Sequence, residues 1–449
     1  MSSESNSGDE AASPQAPSQR GFAAFRYADF RKFELARVLF VMSWQMQGTA
    51  VAWQVFSLTG SALALGMIGL VQFIPAVLFI LITGHVADRY DRRLVVATCM
   101  AALSALAAGM ALLTFSGHMT PGWIFTLIFL IGVAHAFAGP ASQALLPHLV
   151  PKEVFSNAVA WNSSLWQFAS IAGPALGGLL IGLFDNPGVV YAIDAAFSFT
   201  AALVMVSLRT RLGRLDHAPV SLETLLAGFR YVWQQKIVLG AITLDLFAVL
   251  LGGAVALLPI YAKEILHVGA FGFGLLRAAP SIGAGLMAVL VAHLPPLKNA
   301  GRALFVAVAT FGILTIIFGI SQNFYLSLAA LMGLGAADMI SVVIRHTTVQ
   351  LVTPPEMRGR VSAVNLIFIG ASNQLGEFES GLTAHWFGTV PAVVLGGVGT
   401  LIVVVVCALL FPELRQLRRL DQIAPDKVSS SGPLPAAPKA AALSPDAEK

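Results

Sequence analysis

Seven ionisable residues interrupt otherwise apolar runs of this 449-residue sequence: Asp194, Asp245, Arg277, Asp338, Arg345, Glu377 and Glu379. A carboxylate in such surroundings does one of two kinds of chemistry. It pairs with a cation or polar group and fixes helix packing, or it exchanges a proton and alternates between charged and neutral forms. Both readings are open from the sequence. His135 adds an imidazole, which titrates near neutrality and either carries a proton or donates a hydrogen bond. If the runs are helical, a rise of about 1.5 Å per residue puts Asp245 and Arg345 roughly 10–14 Å from one end, Asp338 roughly 20 Å and Glu377 roughly 25 Å. Asp245 is therefore expected to meet Arg345 as a charge pair, and Asp338 to face Glu377. Two neighbouring acids disfavour each other's charge and share a proton, so Asp338, Glu377 and His135 are the proton-coupling candidates. Glu377 shares a helix face with Gly370, Asn373, Ser380 and Ala384, and it is preferred to Glu379, which points nearly opposite. Glu34 and Arg37 lie near the end of their run and are expected to snorkel, and Arg277 is read equally well as structural. Trp53, Phe137, Trp161 and Trp166 either line an apolar site or pack between helices.

The elements that position these groups follow from composition. Hydrophobic residues make up 57% of the chain and charged residues 11%. A soluble chain carries about a quarter charged residues, so this chain has lipid as its main solvent. A span needs about 20 apolar residues. Twelve runs qualify: 33–58, 62–87, 94–115, 121–146, 157–184, 188–208, 236–262, 271–294, 301–321, 323–351, 360–386 and 390–411. They are too long and too uniformly apolar for barrel strands, so the expected fold class is all-α, a polytopic bundle. Of 27 Lys and Arg residues, only Lys263 falls on the side opposite the termini, while Arg37, Arg277 and Arg345 fall inside runs. Positive loops stay cytoplasmic, which puts both termini on the cytoplasmic side. The basic residues are dispersed and form no nucleic-acid patch.

The two halves repeat. Adding 203 carries Glu153 to Glu356, Asn162 to Asn365, Gly132 to Gly335, Gly173 to Gly376 and Gly178 to Gly381. The same offset carries the block 33–208 onto 236–411, and His135 onto Asp338. The expected organisation is a polar, largely disordered tail over 1–32, a six-helix bundle over 33–208, a linker over 209–235, a second bundle over 236–411, and a second largely disordered tail over 412–449. No secretory signal is visible in residues 1–19. Cys99 and Cys407 read as buried small apolar groups. Parallel repeats of this kind point to a secondary transporter, in which similar bundles rock about a site near the midplane.

Two motifs narrow the reading. Gly84-x-x-x-Asp88-Arg89-x-x-Arg92-Arg93 ties the second run to the third, and Ala169-x-x-x-Gly173-Pro174-x-x-Gly177-Gly178 lies in the fifth. The first resembles the loop signature of the major facilitator superfamily, and the second resembles the motif associated with its exporters. Other stretches are Val51–Val55, Ala136–Ala141, Arg358–Asn365 and Gly376–Gly381; together with the two motifs they resemble the enterobactin-exporter-like branch, from about residue 22 to 411. The resemblance implies two pseudo-symmetric bundles of six helices. It also implies that Gly84, Asp88, Arg89, Arg92 and Arg93 gate the cytoplasmic side. Gly173, Pro174, Gly177 and Gly178 would let helices pack closely. The implied activity is proton-coupled efflux of a small amphipathic molecule, a siderophore or toxic organic compound, by a chain working as a monomer; uptake is the alternative direction. Two residues depart from the pattern: Asp91 stands where the family often has Gly, and His135 where related sequences commonly have Arg. A transporter-like sensor or a membrane-embedded enzyme competes weakly. The chain shows no phosphate loop, no HExxH and no paired nucleophile and base, so no cofactor and no metal are expected.

Overall fold

The computed structural model describes residues 21–79, 82–83, 86, 89–143, 145–209, 222–294 and 299–417. The first six long helices are α1 (Ala28–Thr59), α2 (Ala62–Leu78), α3 (Arg92–Phe115), α4 (Pro121–Gln143), α5 (Phe155–Phe184) and α6 (Gly188–Val206). A shorter helix, α7 (Leu222–Gln234), follows. The next six are α8 (Lys236–Leu251), α9 (Gly269–His293), α10 (Ala300–Ile320), α11 (Phe324–Val352), α12 (Pro355–Phe387) and α13 (Thr389–Leu410). Nine stretches among the described residues are long and apolar enough to cross a membrane. The remaining three of the twelve are α1, α2 and α12. Helices satisfy their own backbone groups, which is what hydrocarbon demands. Their ends are stopped locally: Gly60 closes α1 in the left-handed region at φ 59°, and Asn323 Oδ1 accepts from the backbone N–H of Tyr325 and Leu326 at 2.9 and 3.1 Å to start α11.

The repeat is visible in the packing. In the first bundle α1 packs on α5 and α6, α3 on α4 and α6, and α2 on α4. Seven labels on, α8 packs on α12 and α13, α10 on α11 and α13, and α9 on α11. Start of α1, end of α6 and start of α8 share one end of the molecule with Arg93, Lys236 and Arg358; this is the basic end. Gly60, Asp185 and Lys263 lie at the far end.

Several boundaries differ from the expected ones. Residues from Gly21 onward, inside the segment expected to be tail, pack on the first bundle: Ala24 N–H donates to Asn157 Oδ1 at 3.0 Å, and Trp161 Nε1 donates to Gly21 O at 2.7 Å. The rings of Phe22 and Phe25 sit on Trp161. The linker contains a helix, α7. The seventh span breaks at Gly252–Gly253 into a 3₁₀ turn (Ala254–Leu257), a short α turn (Leu258–Ile260) and a π turn (Tyr261–Ile265). Irregular backbone at this depth is tolerated where protein covers it. A Cβ at Gly253 would lie 2.6 Å from Gly376 O and 2.7 Å from Ser380 Oγ, so α12 is the cover.

The halves meet through α5 against α9 and α2 against α12, a pair of contacts related by the repeat. Each has a glycine crossing near the far end. A Cβ at Gly178 would lie 2.5 Å from Gly274 Cα, and one at Gly381 would lie 2.6 Å from Gly66 Cα. Gly178 and Gly381 are repeat equivalents, so the same sterics operate twice. Gly173 and Gly376, also equivalents, face α1 and α8 within their own bundles. We expect Gly178→Val and Gly381→Val each to disfavour far-end closure by about 1–3 kcal/mol, the usual range for overpacking. Gly109→Val, where a Cβ meets nothing within 4 Å, should leave it unchanged. Reactivity of far-end cysteine probes with an impermeant maleimide measures the shift; equal labelling of all three variants would refute the assignment.

Candidate functional site

Among the described residues four charged or acidic clusters lie within the helices, and each is built differently. In the first bundle Asp194 of α6 faces α1. Gln47 Nε2 donates to its Oδ2 at 2.7 Å, Ser198 Oγ donates to Oδ1 at 3.1 Å, and Ser43 Oγ donates to the same oxygen. Three polar hydrogens therefore answer a carboxyl that is 3% exposed. Spacing along α6 gives no sign of this, because two of the donors come from α1.

Glu34 of α1 is 2% exposed, and its Oε1 accepts from Asn162 Nδ2 of α5 at 2.9 Å. It does not snorkel as the sequence suggested. Its repeat counterpart in position, though not in charge, is the cluster around Asn365. Asn365 Oδ1 accepts from Arg345 Nη1 at 3.0 Å, and Arg345 Nη2 lies 3.1 Å from Asp245 Oδ2. Asn162 and Asn365 are repeat equivalents that use opposite ends of the amide, one donating to an acid and one accepting from a base. The charge pair Asp245–Arg345 is thus joined, with Arg345 3% and Asp245 7% exposed.

Asp338 lies beside this pair. Asp245, Asp338 and Ser341 line a cavity of about 10 Å³ shared with Phe311 and Val308, space for about one water. The charges acting on Asp338 are Asp245 and Arg345. Glu377 is elsewhere: its charged neighbour is Arg277. The expected pairing of Asp338 with Glu377 is therefore not formed. Equal depth does not fix azimuth, and the two acids look toward different neighbours.

Arg277 and Glu377 belong to the second bundle but abut glycines of the first. A Cβ at Gly48 of α1 would lie 3.2 Å from Arg277 Nη2, and a Cβ at Gly69 of α2 would lie 2.9 Å from Glu377 Oε2. Arg277 is thus placed at the interface between halves. Glu379, by contrast, turns back on its own helix, accepting from Thr383 Oγ1 at 2.7 Å.

A cavity of about 310 Å³ lies mostly in the first bundle, at the lower end of the range for small-molecule sites. Phe40, Trp44, His135 and Trp166 form an aromatic wall, and Arg37 and Gln374 add polar groups. The His135 ring lies 4.9 Å from the Trp44 ring and 5.2 Å from that of Phe40. Arg37 sits over Trp166 at 5.6 Å, a cation–π distance, so it lines the cavity where the sequence reading had it snorkel. Gln374 is the second bundle's contribution, one turn from Glu377. Glu377 itself is off the cavity wall, contrary to the expectation drawn from its helix face. Of the aromatics weighed from sequence, Trp166 lines the cavity, Trp53 stacks on Phe273 across the bundles at 5.7 Å, Phe137 packs near Phe79, and Trp161 holds the N-terminal segment. Trp44 and Phe40 escaped the sequence reading; their spacing of four from each other and their place on α1 opposite His135 were the available signal.

The loop motif is partly described. Gly84 and Asp88 lie outside the described residues, and Arg89 is exposed. Asp91 caps α3, its Oδ1 accepting from the Arg93 N–H at 3.0 Å. Arg93 Nη1 donates to Leu208 O, and Lys32 Nζ donates to Ser207 O at 2.8 Å. Cations at these last carbonyls complement the helix dipole of α6. The observed bonds of Arg93 thus tie α3 to α6 within one bundle. Of the α5 motif, Gly173 and Gly177 face α1, Gly178 faces α9, and the carbonyl of Pro174 lies against Gly274. Cys99 and Cys407 are free and far apart in the chain. Among the described residues no group of His, Cys, Asp and Glu has the makings of a metal site.

Removing one partner of a buried pair leaves the other charge unmatched, which costs about 3–5 kcal/mol. We expect Asp245→Leu and Arg345→Met each to lower the melting temperature of the detergent-solubilised protein, and the double variant to recover most of the loss. Additive losses in the double variant would show that the two side chains act independently.

Comparison with known proteins agrees with this architecture. Residues 19–439 match the family described as transmembrane secretion effectors. The enterobactin exporter EntS of Citrobacter koseri is 26% identical over 415 residues, covering 90% of this chain and 96% of the relative. An Escherichia coli EntS is 27% identical over 417 residues, covering 90% and 95%. Among solved structures, a mutant of the nucleoside transporter NupG superposes with a TM-score of 0.69 at 14% identity, covering 85% of this chain and 100% of that one. A bacterial homologue of the lysosomal transporter Spinster, inward-facing and occupied, also gives 0.69 at 14% identity, covering 89% and 98%. With two pseudo-symmetric six-helix bundles and a match over nearly its whole length, the chain belongs to the transmembrane secretion effector family of the major facilitator superfamily: it is a multi-pass membrane transporter of small molecules and not an enzyme.

Proposed function

We propose that the protein exports a small amphipathic molecule, a siderophore or toxic organic compound, across the bacterial inner membrane by proton-coupled alternating access. The observation that carries this reading is the aromatic cavity of about 310 Å³, with the bundles held together toward the far end by the glycine crossings at Gly178–Gly274 and Gly66–Gly381. Its wall offers ring faces and one cation, Arg37, and no carboxylate is among the residues lining it. The ring faces suit a flat aromatic ligand, and Arg37 favours one that is neutral or anionic. The basic end is cytoplasmic in this reading, by the positive-inside rule, so the cavity loads from inside. The Gly173–Gly178 motif and the names of the EntS relatives support the outward direction.

Rocking the halves about the α5–α9 and α2–α12 contacts would open the far end and close the basic end. The loop residues Gly84, Asp88, Arg89, Arg92 and Arg93 would hold the closed basic end. Proton coupling falls to acids whose surroundings change in that motion. Glu377 qualifies because Gly69, which it abuts, belongs to the other bundle. Asp338 is a second candidate on a different ground: within its own bundle it shares one cation, Arg345, with a second acid. His135, on the cavity wall, couples occupancy to either. The protein works as a monomer in this account, each chain holding a complete cavity.

Expressing cells should accumulate less of a transported compound than cells lacking the protein, and a protonophore should abolish the difference. Greater accumulation in expressing cells would make it an uptake system. In liposomes, Asp338→Asn or Glu377→Gln should reduce gradient-driven flux to background and preserve counterflow between equal compartments. Full gradient-driven flux in both would assign these acids to helix packing.

A further inference from the structure

The linker helix α7 carries an apolar ridge that the other described residues leave uncovered. Leu226 is 64%, Phe229 44% and Trp233 65% exposed. At 3.6 residues per turn these three lie on one face. A second face is taken up by protein: Val232 is buried, a Cβ at Gly228 would lie 2.8 Å from Arg360 O of α12, and Tyr231 Oη donates to Val352 O at 3.1 Å. The third face is polar, with Arg230 and Gln234 exposed. A helix with three such faces fits a boundary where protein, hydrocarbon and water meet.

Depth identifies the occupant of the ridge. The Phe229 ring stacks on that of Phe368 at 6.2 Å and 16°, and on Trp233 at 6.1 Å. Phe368 is eight residues into the apolar run that begins at Arg360, roughly 12 Å along α12 by helical rise. Val364, one turn before Phe368, also meets α7, its side chain 3.1 Å from where a Cβ at Gly228 would lie. The ridge therefore runs alongside a membrane span and reaches below its polar end. Arg358 and Arg360 mark that polar end on α12, and exposed Arg230 lies at the edge of the ridge. Cations at this level complement anionic phospholipid headgroups.

We propose that α7 lies in the bilayer leaflet at the basic end, with Leu226, Phe229 and Trp233 among the acyl chains and Arg230 at an anionic phosphate. Insertion of roughly 5–10 Å is the usual depth of such helices. Through Phe229–Phe368 and Gly228–Arg360 the leaflet then holds α12, the helix that carries Gln374 and Glu377. The proposal needs only that the chain spans a membrane.

The test uses the full chain in liposomes of phosphatidylethanolamine and phosphatidylglycerol. A spin label is placed at Trp233→Cys or at Gln234→Cys, in a Cys99→Ala/Cys407→Ala background. Position 233 should collide with oxygen severalfold more than with an aqueous nickel chelate, and position 234 the reverse. Equal nickel access at both positions would overturn the proposal. So would protection of position 233 from both reagents, which would mean that protein covers the ridge. Native Trp233 gives a second readout: brominated lipids should quench wild-type emission more than that of Trp233→Phe. Exchanging phosphatidylglycerol for phosphatidylcholine should make position 233 shallower in the otherwise native chain and leave Arg230→Gln unaffected; no change in either would remove the anionic headgroup from the assignment.

Discussion

A charge inside the hydrocarbon must be answered by protein, because lipid offers no hydrogen bonds and insertion of an ionised side chain costs about 2.5–3.5 kcal/mol. The chain meets this constraint in four ways. A bare carboxyl, Asp194, is met by hydroxyls and an amide. Glu34 is met by one amide, Asn162. Asp245 and Arg345 meet each other, with Asn365 accepting a further hydrogen bond from the guanidinium. Arg277 and Glu377 are neighbours placed against glycines of the opposite bundle. The first three are closed inside one bundle and move with it. The fourth is the one whose surroundings depend on how the bundles sit.

That division explains the repeat. Each bundle is tied together from within: buried polar groups pair inside it, as at Asn162 and Asn365, and its helices interlock through Gly173 or Gly376. Between bodies the contacts are shallow and steric, as at Gly178–Gly274 and Gly66–Gly381. Surfaces of this sort separate without parting Arg277 from Glu377, since both belong to the second bundle. A hydrogen bond does cross the interface, from Gln167 Nε2 to Ser281 O at 2.5 Å, near mid-depth where a pivot moves least.

Much of this arrangement is legible in the sequence. The spans follow from run length, and the repeat from a constant offset that also relates Asn162 to Asn365. Counting residues from one end brings Asp245 and Arg345 to one level, and their helices happen to present them to each other. The same count misleads for Asp338 and Glu377, because depth carries no information about which neighbour a helix face meets. The break at Gly252–Gly253 is hidden for a related reason: paired glycines in an apolar run read equally well as packing positions, and only the carbonyl of Gly376 and hydroxyl of Ser380 show what they accommodate. The cavity is assembled from five helices of the first bundle and Gln374, and no local pattern encodes such a meeting.

The central claim is that two rigid bundles exchange between far-end-closed and far-end-open arrangements. Pulsed dipolar distances in liposomes measure this directly. Labels at Leu183→Cys of α5 and Trp386→Cys of α12 report across the bundles, and labels at Leu183→Cys and Leu58→Cys of α1 report within one. Both pairs lie at the exposed far end. The account predicts two populations for the first pair, shifting with pH or bound substrate, and one fixed distance for the second. A single unshifting distance across the bundles in a preparation that transports would contradict it.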